Sequence, residues 1–195
     1  MSHYYSEDQR DVKSRRHTVT YTHQDKTYRF ITDHGVFSKG HVDTATAALL
    51  DHVSIKEGSA VLDLGCGYGV IGIVIARAFG ASLTMSDVNE RALDLARENA
   101  KTHGVNASII KSDAFEAIDG SFDAIVTNPP IRIGKPRLYG MLETAKAHLK
   151  PGGALWLVMH KKHGALSTIA HLKTHYTADV VATHKGFRVI RCESR

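Results

Sequence analysis

Four residues near the middle of the chain, Asn128-Pro129-Pro130-Ile131, have the types and spacing to act on an amino group. Two consecutive prolines fix the backbone dihedrals and remove two N–H donors, so the carbonyls around them are held rigidly outward. Rigid acceptors are what an exocyclic NH2 needs. With the Asn128 side-chain oxygen and the Pro129 carbonyl both accepting from it, that nitrogen is oriented and its lone pair is drawn out of conjugation. The lone pair can then point at an electrophilic carbon.

A candidate holder of that electrophile lies upstream, where residues 59–72 read S-A-V-L-D-L-G-C-G-Y-G-V-I-G. An apolar run ends in Gly65, Gly67 and Gly69 and passes at once into a helical-looking stretch, which is a strand, a tight turn and a helix start. Glycine suits such a turn because the backbone takes conformations a side chain disfavours, and because a ligand can lie against bare peptide beneath helix N–H groups. Two templates fit. Gly67 to Gly72 match G-x-G-x-x-G, with Asp87 about twenty residues on to hold a ribose, as in nicotinamide-binding folds. Asp63 followed by Gly65, Gly67 and Gly69, with Cys66 inside the turn, resembles motif I of the class I S-adenosylmethionine-dependent methyltransferases. Asp87 with Val88 and Asp113 with Ala114 follow the next two strand-like runs; Asp87 suits a ribose with a helix N-cap as its alternative, and Asp113 reads equally as a turn residue.

The elements that must position these groups alternate. Strands are predicted over 60–64, 82–86, 107–111, 122–127 and 154–159, and helices over 70–80, 89–103, 136–149 and 165–175. Strict alternation means parallel strands joined by crossover helices. The end changes character, since 178–183 and 187–192 flank His184-Lys185-Gly186 as a hairpin that turns the last strand antiparallel. Residues 17–21 and 27–31 read as a first hairpin, and 42–52 as a helix. The expected layout is residues 1–55 as an arm, hairpin and helix laid on a core of residues 56–195.

Composition narrows the partners. No stretch approaches the roughly twenty apolar residues of a membrane span, and the first twenty residues carry no apolar h-region, so a cytoplasmic protein with no membrane partner is expected. Cys66 and Cys192 make neither a metal spacing nor a disulfide framework. His171 and His175 form the one histidine pair at helical ligand spacing, but no third ligand stands near in sequence, and no metal site is expected. Residues 128–195 hold twelve Lys and Arg against three Asp and Glu, whereas residues 41–127 hold six against twelve. That asymmetry points to a polyanion, RNA first, approached from one side.

Taken together, H-Y-Y-S near the start, G-V-F-S before the first helix, D-L-G-C-G-Y-G-V-I-G and N-P-P-I-R-I-G-K resemble the class I methyltransferases that modify planar nitrogens. Within them they are most similar to the bacterial ribosomal RNA small subunit methyltransferase C group. The resemblance implies an α/β, Rossmann-like seven-stranded sheet with an antiparallel last strand, here with an N-terminal β-hairpin extension. It implies S-adenosylmethionine as cofactor, held by Asp63, Gly65, Cys66, Gly67, Gly69, Asp87, Val88, Asp113, Ala114 and Asn128. It also implies methylation of guanine N2 in RNA, with small-subunit ribosomal RNA or the assembled subunit as partner and Asn128, Pro129, Pro130 and Ile131 as the catalytic loop. Ile131 stands where relatives that flip adenine or cytosine carry an aromatic, so stacking falls to Phe37 or Tyr139. Arg132, Lys135 and Arg137 after the loop, with Lys161 and Lys162, are the candidate phosphate contacts. Other readings of the residues are methylation of adenine N6 or a protein glutamine, a nicotinamide-dependent oxidoreductase, and a degenerate fold that only binds RNA.

Overall fold

The computed structural model describes residues 15–34, 36 and 41–194. A hairpin of β1 (His17–His23) and β2 (Lys26–Thr32) leads to α1 (Thr44–His52). Then follow β3 (Ala60–Leu64), α2 (Val70–Phe79), β4 (Ser82–Asp87), α3 (Glu90–Thr102), β5 (Ala107–Lys111) and β6 (Phe122–Thr127). Helix α4 (Lys135–Thr144), β7 (Leu149–His160), α5 (Ala165–Leu172), β8 (Tyr176–His184) and β9 (Phe187–Ser194) complete the chain.

The main sheet has seven strands in the order β5-β4-β3-β6-β7-β9-β8. Its first five strands are parallel, and β9 runs antiparallel between β7 and β8. This is the expected α/β architecture, hairpin extension included. Side chains alternate between the two faces, as a strand's period of two requires. Val61, Ala124, Val126, Trp156 and Val158 join one cluster with the hairpin, α1, α2 and α3; Leu62, Ile125, Leu155 and Leu157 join another with α4 and α5. The front section and the sheet therefore share one core.

Several boundaries differ from the sequence pattern for local reasons. The first hairpin closes in two residues, because Gln24 and Asp25 both take positive φ (46° and 62°), the geometry that matches the twist of paired strands. No helix joins β5 to β6, so alternation is not strict. There the Ser112 hydroxyl donates to the Ala114 carbonyl at 2.9 Å and accepts from the Ala117 amide at 3.0 Å, engaging groups that a helix would pair internally. Helix α4 tightens into a 3-10 turn at Ala145–His148, and α5 stops at Leu172 instead of reaching 175.

Candidate active site

The strand order reverses between β3 and β6, since the chain winds outward through β4 and β5 before returning. In open α/β sheets that switch point leaves a crevice at the carboxyl ends of the strands. Two cavities open there, of about 1020 Å³ and about 70 Å³, and Gly65, Asp87 and Asn128 line both.

The glycines divide by cause. Gly65 and Gly67 take φ of 72° and 55°, and a Cβ on either would meet nothing within 4 Å, so their need is conformational and they leave the cavity open. Gly72 is a packing glycine, because its Cβ would lie 2.9 Å from Leu83 Cδ1 and 3.0 Å from Asp63 Oδ2.

Asp63 is fully buried at the end of β3. Its Oδ2 accepts from the Gly72 amide at 2.8 Å, while Oδ1 has no hydrogen-bond partner among the described residues. Burial, only partly offset by the Gly72 N–H and reinforced by the Asp87 charge, pushes its carboxyl up to about 7. Asp87 ends β4 and accepts from the Gly67 amide (Oδ2) and the Asn89 amide (Oδ1), both at 2.9 Å. Burial raises its pKa too, against those amides. The Val88 amide acts on the same carboxylate, and with about four acceptor positions in all, capacity remains for a ligand hydroxyl. The buried Ser86 hydroxyl on the wall of the larger cavity also has no partner among the described residues.

Val88, Asp113 and Ala114 line the larger cavity, where Ala114 is held at φ 48°. Cys66 lines the smaller one, and burial raises its thiol well above the ordinary value, so it is no thiolate nucleophile at neutral pH.

Asn128 shows most clearly what the sequence does not display. Its Nδ2 donates to Asp43 Oδ1 at 3.4 Å and to Thr46 Oγ1 at 3.3 Å, at the N-terminus of α1. A carboxylate can only accept, which settles the amide's orientation and turns Oδ1 away from α1. Asp43 is itself fixed as the α1 cap by the amides of Ala45 and Thr46 (2.9 and 3.0 Å) and by the Thr46 hydroxyl (2.8 Å). Both residues line the smaller cavity, and neither carries a motif. Another unpredicted residue is Asn99, which accepts from the Ile31 amide at 2.8 Å and donates to the carbonyls of Ile31 and Tyr68 at 2.9 Å. It ties the free edge of β2 to the glycine turn.

Pro129 is buried and Pro130 half-buried. The Pro130 carbonyl accepts from Ile133 at 3.2 Å, starting a 3-10 turn over Ile131–Ile133. Ile131 packs against the α4 side of the core, Arg132 is exposed, and Lys135 lies beside Gly164. Exposed Lys161 and Lys162 precede that glycine, and the Lys161 amide donates to Gly186 O at 2.8 Å, which brings Lys185 of the C-terminal hairpin to the same edge.

Three groups marked in the sequence have specific neighbours. Arg137 ion-pairs with Asp113, and both line the larger cavity. Tyr139 stacks on His171 (4.0 Å, 11° between planes) and lines neither cavity. His171 and His175 do not share a helix face, and Glu143 stands beside both as a third possible ligand. Phe37, like Tyr4 and Tyr5, lies outside the described residues; its neighbour Val36 lines the smaller cavity. Among the described residues no helix is long and apolar enough to cross a membrane.

Comparison with known proteins agrees with this geometry. The family described as Methyltransferase small domain matches residues 27–191. An uncharacterized protein of Bacillus subtilis (strain 168), YbxB, is 41% identical over 98% of this chain and 98% of its own length. Ribosomal RNA small subunit methyltransferase C of Haemophilus influenzae (strain PittGG) is 39% identical over 70% of this chain and 44% of that protein. Among solved structures, the T. thermophilus 16S rRNA N2 G1207 methyltransferase (RsmC) in complex with AdoMet and guanosine superposes with a TM-score of 0.84 at 27% identity. That match covers 92% of this chain and 51% of the other. The chain thus spans about half the length of the small subunit methyltransferase C proteins it matches.

Proposed function

The chain belongs to the methyltransferase small domain family, and from that premise we propose that it transfers the methyl of S-adenosylmethionine to the exocyclic N2 of a guanine in small-subunit ribosomal RNA. The observation that carries this is Asn128, whose amide is held by Asp43 and Thr46 at the junction of the two cavities. The larger cavity suits the cofactor by size, since small-molecule sites run about 300–1,000 Å³. It suits it by chemistry too, through the spare acceptor capacity of Asp87 and the unpartnered Ser86 hydroxyl.

Asp87 would hold the ribose, Gly65 and Gly67 would lie beneath the methionine portion, and Val88, Asp113 and Ala114 would face the adenine. When bound, S-adenosylmethionine supplies an electrophilic methyl on a sulfonium. The chain's own part is orientation. Asn128 Oδ1 and the Pro129 carbonyl would accept from the target NH2 and the prolines would keep those acceptors still; as nitrogen bonds to the methyl carbon, the carbon–sulfur bond would break with its electron pair left on a neutral thioether, and the amine would lose one proton to solvent. No residue need act as general base, and alignment of this kind lowers a barrier by about 7–11 kcal/mol. Arg132, Lys135, Lys161, Lys162 and Lys185 would hold phosphates and position the RNA without reading its sequence.

Incubation of the protein with labelled S-adenosylmethionine and ribosomal RNA or small subunits, followed by mass analysis of digested nucleosides, tests this. N2-methylguanosine is the expected product. Label in adenosine or in protein glutamine overturns the substrate assignment, and failure to bind S-adenosylmethionine overturns the cofactor assignment.

A further inference from the structure

Away from both cavities, three side chains that the proposed transfer does not use converge between the end of α4 and the start of β8. Glu143 Oε1 lies 2.6 Å from His171 Nε2 and 3.7 Å from His175 Nε2. One donor atom from each of the three lies within 4.8 Å of the others, and all three residues are half-buried.

The surroundings fix that spacing. Tyr139 stacks on the His171 ring at 4.0 Å. Lys146 Nζ donates to the His175 carbonyl at 3.0 Å, and the buried Tyr176 hydroxyl donates to the Leu142 carbonyl at 2.6 Å. Residues adjoining Glu143 and His175 are thus tied together on both sides of the cluster. The donors are brought together by the fold and not by a chance meeting of long side chains.

We infer that Glu143, His171 and His175 bind one late first-row divalent cation, with zinc as the ion their chemistry fits. Two imidazole nitrogens and one carboxylate oxygen are a set zinc takes, with a water in the fourth place. In a tetrahedral site with bonds of about 2.1 Å, neighbouring donors stand about 3.4 Å apart. The two carboxylate–imidazole distances of 2.6 and 3.7 Å bracket that value, the third donor pair lies within 4.8 Å, and an ion would replace the His171–Glu143 hydrogen bond. The partial exposure admits the ion and its water. An ion here would staple α4 to the α5–β8 turn, behind the wall that carries Arg137.

The test uses the untagged full chain, stripped with chelator and titrated with zinc against a chromophoric chelator, with melting temperature read in parallel. One ion per chain, a Kd at or below the micromolar range and a raised melting temperature are expected. Glu143→Gln, which preserves shape, and His175→Ala should each weaken binding at least tenfold and abolish the rise. Because the thirteen histidines offer other ligands, His163→Ala, at an exposed histidine outside the cluster, serves as control and should change neither readout. Absence of saturable binding overturns the site, as does binding that survives both cluster variants or is lost in the control.

Discussion

On the β3–β4–β5 side of Asn128 the carboxyl edge of the sheet presents carboxylates that are buried or paired, Asp63, Asp87 and Asp113. On the β6–β7–β9 side it presents exposed cations, Arg132, Lys135, Lys161, Lys162 and Lys185. The first side holds groups fixed by backbone amides, as suits a small ligand of one shape. The second holds flexible side chains drawn from three separate segments, as suits a polymer whose charges recur. Asn128 belongs to both, and its replacement separates them most sharply. Asn128→Ala should lower methyl transfer at least 100-fold while S-adenosylmethionine affinity stays within about threefold, since misplacing a reacting group by about 1 Å already costs about that much. Calorimetry and single-turnover transfer read the two quantities, and equal losses in both would reassign Asn128 to the cofactor side. Asp43→Ala should show the same pattern more weakly, with loss of the α1 cap costing about 1 kcal/mol of stability.

The carboxylate side carries a pH dependence. In the unfolded chain Asp63 releases its proton near pH 4, whereas in the fold it keeps it to about 7. Its contribution is therefore fully present below about pH 4 and is lost as pH rises through about 7, a span worth about 4 kcal/mol. Asp87 acts in the same direction and Asp123, lowered by its Lys150 partner, in the opposite one, so the comparison must be with a variant. Asp63→Asn should flatten the decline in denaturant midpoint between pH 4 and 8; an unchanged slope would exclude Asp63 as its source. On the same side, Gly72→Ala should destabilise by about 1–3 kcal/mol in thermal melts, because its methyl would press on Leu83 and Asp63.

The contrast also explains what the sequence displays. Gly65, Gly67, Asp87 and the N-P-P run are legible because their constraint is local: a positive φ, a strand end, a fixed dihedral. Parallel strands closed by an antiparallel hairpin are legible from alternation and from the final turn, while the seven-stranded sheet follows from the family resemblance. Asp43, Thr46 and Asn99 are not legible, since their work lies in pairing with residues dozens of positions away, and nothing in their neighbours marks it. The partners of Tyr139 and Arg137 are illegible for a related reason. Helical position relative to the N-P-P loop does not say which face meets the cavity, and the face is decided by packing against α5 and by the charge of Asp113.

Single replacements on the cation side should have the smallest effects, and their form matters more than their size. A lysine that touches phosphate adds to affinity by releasing counterions, so its loss weakens binding of any RNA sequence alike and reduces the slope of log affinity against log salt by about one. Lys161→Ala, Lys162→Ala and Lys185→Ala should each do this, with no change in S-adenosylmethionine affinity. Lys185 is the informative one, because its place beside Lys161 follows from the antiparallel pairing of β7 with β9 and from the Lys161–Gly186 hydrogen bond. If Lys185→Ala leaves the salt slope untouched while Lys161→Ala lowers it, the RNA track ends at β7 and the hairpin serves only the sheet. Equal reductions extend the track across the β8–β9 turn, and the polymer side of the site then reaches a segment with no sequence link to the N-P-P loop.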